Sequence, residues 1–175
     1  MKKLFMQFIF LLVSSLFFLG CSPSSNLMNK VPEWTLDPEI EGGIAVSECV
    51  ESSDDFSRDK EEAVALARAS LAKQIKSRVE TMDKTYKRKI GSEKTQSNGS
   101  VFEAVSEQVT NRYVKGAQIR KVDQVSYNNI KHLCVKCGLD PKATERLFAS
   151  LVEQSEVDLT TEEKRILYEK FQTQE

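Results

Sequence analysis

The chain has 175 residues, with 25 Lys and Arg against 26 Asp and Glu, one His and a net charge of −1. That length suits a single domain, and the charge balance excludes a general nucleic-acid binder, which needs a strongly basic face. With one histidine and no nucleophile elbow, phosphate loop or H-E-x-x-H helix, nothing marks a catalytic constellation. The chain reads as a non-enzyme with no cofactor and no metal.

Lys2 and Lys3 precede an apolar run from Leu4 to Leu19. The run falls short of the ~20 residues a spanning helix needs, and it carries Gln7, Ser14 and Ser15. Residues 1–20 therefore read as an export signal peptide. The run closes on Phe18-Leu19-Gly20-Cys21. This resembles the lipobox of bacterial lipoproteins, with a small residue before the cysteine and Phe18 where the pattern usually has Leu. The resemblance implies that Cys21 becomes the lipidated first residue of the mature protein, carrying a thioether-linked diacylglycerol and an acylated amine such as palmitate. More than one acyl chain gives stable rather than marginal anchoring. Ser22, in place of an Asp that resembles an inner-membrane retention signal, implies the cell outer membrane.

Loss of residues 1–20 leaves 155 residues with 23 basic and 26 acidic side chains, and removes five of the nine Phe. Cys49, Cys134 and Cys137 remain, an odd number in an oxidising compartment, so at most one internal disulfide forms and one thiol is left over. Which cysteine pairs with Cys49 stays open. Residues 21–30, polar after Cys21, read as a lipidated flexible tether, and residues 31–175 as a single domain.

Pro32 stiffens the start of that domain, and Trp34, the sole Trp, is expected to pack over it as an anchor. Gly42-Gly43 precede a strand from Ile44 to Val50. Residues 57–89 read as one long helix. Val64, Ala67, Leu71, Ile75, Val79, Met82, Tyr86 and Ile90 recur every three or four positions and share one face. At 1.5 Å per residue this helix spans roughly 48 Å, against a domain diameter near 38 Å. Its apolar end must be covered. Residues 101–114 supply a second helix, with Val101 or Phe102, Val105 and Val109 on one face. The two are expected to form a helical hairpin projecting from the sheet.

Residues 118–127 and 130–138 read as a β-hairpin about the turn Asn128-Asn129, with a bulge or register shift in the first strand. Asp140-Pro141 opens a third helix, with Asp at the N-cap and Pro at N1. Thr160 and Glu163 form a capping box that opens a fourth. The fold class is α+β: a small antiparallel sheet of about three strands packed by one long helix, with the helical hairpin and C-terminal helices.

Three segments in order resemble the LPP-twenty family of small bacterial outer-membrane lipoproteins. They are Pro32-x-Trp34, then Ala63-x3-Ala67-Arg68-x2-Leu71-Ala72-x2-Ile75, then Val135-Lys136-Cys137-Gly138-Leu139-Asp140. The resemblance implies a dodecin-like unit, a helix on a three-stranded antiparallel sheet. It also implies a cell-envelope lipoprotein or surface antigen, with flagellar basal-disk lipoproteins that build rings among its relatives. Cys134 and Cys137 depart from the apolar residues expected in that strand.

Cys134-x-x-Cys137, with His132 nearby, raises a periplasmic thiol or metal-binding reading. Strand alternation opposes it, since positions three apart face opposite ways and lie roughly 10 Å apart. Leu133, Val135 and Cys137 are expected on the core face, and His132, Cys134 and Lys136 on the other. Arg68 could bind an acidic ligand or pair with Glu61 or Glu62, but reads first as a snorkelling structural residue. Lys84, Lys87, Arg88, Lys89 and Lys94 form the one basic cluster, which could touch lipid phosphates, with Glu80, Asp83 and Glu93 diluting it.

The function expected is a lipid-anchored outer-membrane lipoprotein that works as a structural or interaction module of the envelope. Its partners would be the membrane through Cys21, an envelope or flagellar protein, and further copies of itself, because the strand Ile44 to Val50 has an edge without Lys or Pro.

Overall fold

The computed structural model describes residues 31–89 and 101–173. The export signal, Cys21, the tether, Ile90 and Lys94 lie outside the described residues. Val31–Glu175 forms one compact unit. Its elements run α1 (Glu33–Leu36), β1 (Ile44–Glu51), α2 (Phe56–Lys89), α3 (Glu103–Lys115), β2 (Gln118–Tyr127), β3 (Ile130–Leu139), α4 (Pro141–Gln154) and α5 (Thr161–Gln172). The three strands make one antiparallel sheet in the order β1-β3-β2. The fold is α+β, with α2 packed on the sheet.

Local chemistry explains most of the boundaries. Asn128 and Asn129 take φ of 50° and 64°, the two positive values a type I′ turn requires, and Asn tolerates both. The β2–β3 register shifts between Ile119 and Lys121, as a bulge does. Asp140 caps α4 by accepting from the Ala143 N–H at 2.8 Å, ahead of Pro141 at the first helical position. The capping box of α5 closes in both directions: the Glu163 N–H donates to Thr160 Oγ1 at 3.3 Å, and the Thr160 N–H to Glu163 Oε2 at 2.6 Å.

The stripe on α2 is the spine of the core. Ala67, Leu71, Ile75, Val79, Met82 and Tyr86 are all buried and share a cluster with Ile44, Val46, Cys137 and Leu139 of the sheet. The end of α2 is covered as its periodicity requires. Phe102 and Val109 are buried in the same cluster, with Val101, Val105 and Tyr113 packed on it. Tyr86 and Phe102 meet edge to face, with ring centroids 5.6 Å apart. The pair does not stand as a lone arm: α5 also packs on α2, bringing Leu167 and Phe171 into that core, and α3 packs on α4. The expected projecting hairpin is enclosed by the C-terminal helices because their own apolar stripes need the same surface.

Two carboxylates hold long-range junctions. α3 has no side-chain cap of its own. Asp83, buried on α2, accepts from the Phe102 N–H at 3.1 Å and the Glu103 N–H at 3.0 Å. A carboxylate there satisfies two orphan donors and favours the positive end of the helix dipole. At the other end of α2, Asp59 pins the β1–α2 turn. It accepts from the Ser53 N–H at 2.8 Å, the Ser53 hydroxyl at 2.5 Å and the Ser52 hydroxyl at 3.1 Å. The Ser53 bonds, hydroxyl first, hold its carboxyl below the usual aspartate range.

The face of the sheet turned from α2 is not bare. α1 packs on β1 and β3. Trp34 is half-buried there, and Lys121 Nζ stands 5.9 Å from its ring centroid. The Lys136 ammonium donates to the Glu39 carbonyl. Gly138 makes this packing possible: a Cβ there would lie 2.8 Å from Ile40 Cδ1 and 2.3 Å from the Ile44 carbonyl oxygen. Residues 37–43 are thereby seated across the start of β1.

Candidate functional site

Cys21, the site the sequence marks most strongly, lies outside the described residues. The internal cysteines are placed by strand register. Cys49 stands opposite Cys134, and the two form a disulfide with Cα atoms 4.0 Å apart, 85 residues apart in sequence. Cys137 stands opposite Val46 on the core face and is a buried free thiol. Burial raises its pKa, against a smaller opposing pull from the Arg68 charge. Cys134 and Cys137 thus face opposite ways, as alternation requires, and do not meet. Cys134 is nonetheless buried, because the disulfide and the covered outer face enclose it. A buried thiol with a raised pKa is a poor nucleophile and a poor metal ligand.

The remaining expected site residues stay dispersed. The His132 ring nitrogen Nδ1 contacts the Ile130 carbonyl at 3.2 Å. Among the described residues no three His, Cys, Asp or Glu side chains group closely enough to hold a metal ion. Arg68 is half-buried and its Nε–H has no hydrogen-bond partner. Neither Glu61 nor Glu62 forms an ion pair with it among the described residues. Lys84, Lys87 and Arg88 are exposed on α2. Asp83, expected to dilute that cluster, turns inward to cap α3, which leaves the exposed end of the helix more basic than the sequence suggests.

Sequence reading missed one further feature. A cleft of about 610 Å³ opens between residues 37–43, α2 and the end of α5. Arg78 lines it and is only 8% exposed. One guanidinium nitrogen, Nη1, donates to the Phe171 carbonyl at 2.9 Å and the Gln172 carbonyl at 2.8 Å. Those carbonyls belong to the last turn of α5, which leaves carbonyls free and carries partial negative charge. The Nε–H is buried with no partner. Asp37, Glu39 and Glu41 line the same cleft and are exposed. In sequence, Arg78 shows only as a polar residue beside an apolar stripe, because its partners lie 93 and 94 positions away.

No protein-family model matches the chain, and no curated protein or solved structure matches it either.

Proposed function

We propose that the chain is a lipid-anchored lipoprotein of the bacterial outer membrane, non-enzymatic, serving as a structural or interaction module of the cell envelope. The observation that carries this reading is the N-terminal sequence: Lys2-Lys3, the apolar run, then Leu19-Gly20-Cys21. Two further features support it. The Cys49–Cys134 disulfide suits an exported protein, since such bonds persist in oxidising compartments. No helix among the described residues is long and apolar enough to cross a membrane, and on this reading the lipid on Cys21 supplies the attachment. A flagellum-associated disk or ring subunit is a narrower form of this reading and rests on the LPP-twenty resemblance alone. The rival reading, a periplasmic thiol or metal protein, loses its pair because Cys134 is bonded to Cys49.

Cys21→Ala tests the anchor. In a bacterial host fed an alkyne-tagged palmitate, the wild-type chain is expected to take up label, and the variant to take up none and accumulate as uncleaved precursor. Label persisting on the variant contradicts the reading.

Self-association belongs to the same proposal. β1 is an edge strand with one unpaired side and neither Lys nor Pro. Leu66, 43% exposed, lies one helical turn before Ser70, whose hydroxyl donates to the Glu48 carboxylate on β1. An apolar side chain therefore overlooks the open edge. Two copies pairing β1 to β1 would bury both. Light scattering on the Val31–Glu175 unit is expected to give twice the monomer mass, and Leu66→Glu to shift it towards the monomer. A monomer mass for the wild type across a tenfold dilution sinks the idea.

A further inference from the structure

The cleft at Arg78 holds a charge that the described chain does not balance. A guanidinium keeps its proton at any ordinary pH, so burial cannot neutralise it. Burial does pull its pKa down, and no carboxylate among the described residues pulls it back up. Arg78 takes part in no ion pair among the described residues. Among the described residues Arg78 has two carbonyls at the negative end of α5, both on Nη1, which offset its charge only in part, and a buried Nε–H with no partner. A buried ion left unpaired is costly, and such sites are normally completed by a counter-charge. Arg78 lines a cleft whose volume falls within the roughly 300–1,000 Å³ of small-ligand sites.

The rim carries the opposite sign. Asp37, Glu39 and Glu41 are exposed along it, so a simple anion would meet repulsion on entry. A ligand with a carboxylate at one end and an ammonium at the other meets a partner at both. We propose that this cleft binds a zwitterionic ligand, a short peptide whose terminal carboxylate pairs with Arg78 and whose ammonium end lies among Asp37, Glu39 and Glu41. With Nη1 engaged on the two α5 carbonyls and Nε buried, Nη2 is the guanidinium donor left to meet a carboxylate. Gly42, at φ 65°, and Gly43 also line the cleft. This assignment does not rest on the lipoprotein reading.

The test is calorimetric titration of the full chain in detergent with three probes: trialanine, trialanine amide, which lacks the carboxylate, and N-acetyl-trialanine, which lacks the ammonium. Trialanine is expected to bind at least about tenfold tighter than either blocked form, the discrimination of one charged hydrogen-bonding group. Arg78→Met is expected to erase the preference over the amide. Glu39→Gln/Glu41→Gln, at two exposed positions, leaves Asp37 in place and is expected to reduce the preference over the acetyl form and keep the other. That second variant decides the matter even if Arg78→Met fails to fold. Equal affinity for the three probes, or no saturation by trialanine, overturns the proposal. A preference over the amide alone, unchanged in the Glu39→Gln/Glu41→Gln variant, overturns it too, because the site would then read only an anion.

Discussion

Reducing the Cys49–Cys134 disulfide is expected to lower the unfolding free energy by about 4.5 kcal/mol, the chain-entropy value for a loop closed across so many residues. The bond joins positions 85 apart and staples β1 to the central strand β3. β1 is an edge strand held to the sheet on one side, so it should loosen first once the cross-link is gone. Denaturant unfolding with and without a phosphine reductant measures the effect, and Cys49→Ala/Cys134→Ala should reproduce it. The remaining thiol, Cys137, should resist a thiol reagent until the chain unfolds, since it is buried and burial disfavours its thiolate. A denaturation midpoint that ignores the reductant would contradict this placement of the bond.

Phe102→Ala is expected to cost about 4 kcal/mol, in the range for emptying a fully buried aromatic site. The ring is wholly buried against Tyr86, and it sits where α3 begins. Its loss leaves a cavity at the one place where α3 is tied both by packing and by the Asp83 cap. Phe102→Leu, which keeps most of the volume, should cost about 1 kcal/mol. Hydrogen exchange should show faster amides in α3 and in the last turns of α2, with the strands unchanged. Protection lost evenly across the sheet would mean that α3 is not the element Phe102 secures.

Short-range rules account for what could be read in advance. The α2 stripe, the Asn128-Asn129 turn, the Asp140 cap and the Thr160–Glu163 box each depend on residues within a few positions of one another. Their physics is complete in a short window of sequence. What could not be read depends on register and on distant pairing. Cys134 rather than Cys137 meets Cys49 because β1 and β3 align Ile44 with Leu139, a choice no local pattern encodes. Asp83 looked like a solvated helix residue, and only the return of the chain at Phe102 gives it two N–H groups to hold. Asp59 likewise needs the turn at Ser53. Arg78 becomes a site only when α5 ends beside it and residues 37–43 cross the sheet. Alternation along β3 separated Cys134 from Cys137 correctly, but it left Cys134 looking open to solvent. The cover over that face comes from α1, a four-residue helix too short to show periodicity.

The central claim is the anchor, and the mass of the mature N-terminus tests it most directly. Protein purified from bacterial membranes and digested should yield an N-terminal peptide that begins at Cys21, with residues 1–20 gone. It should carry the added mass of a thioether-linked diacylglycerol and an amide-linked acyl chain. A mature chain that begins at any other residue, or that carries an unmodified Cys21, contradicts the account.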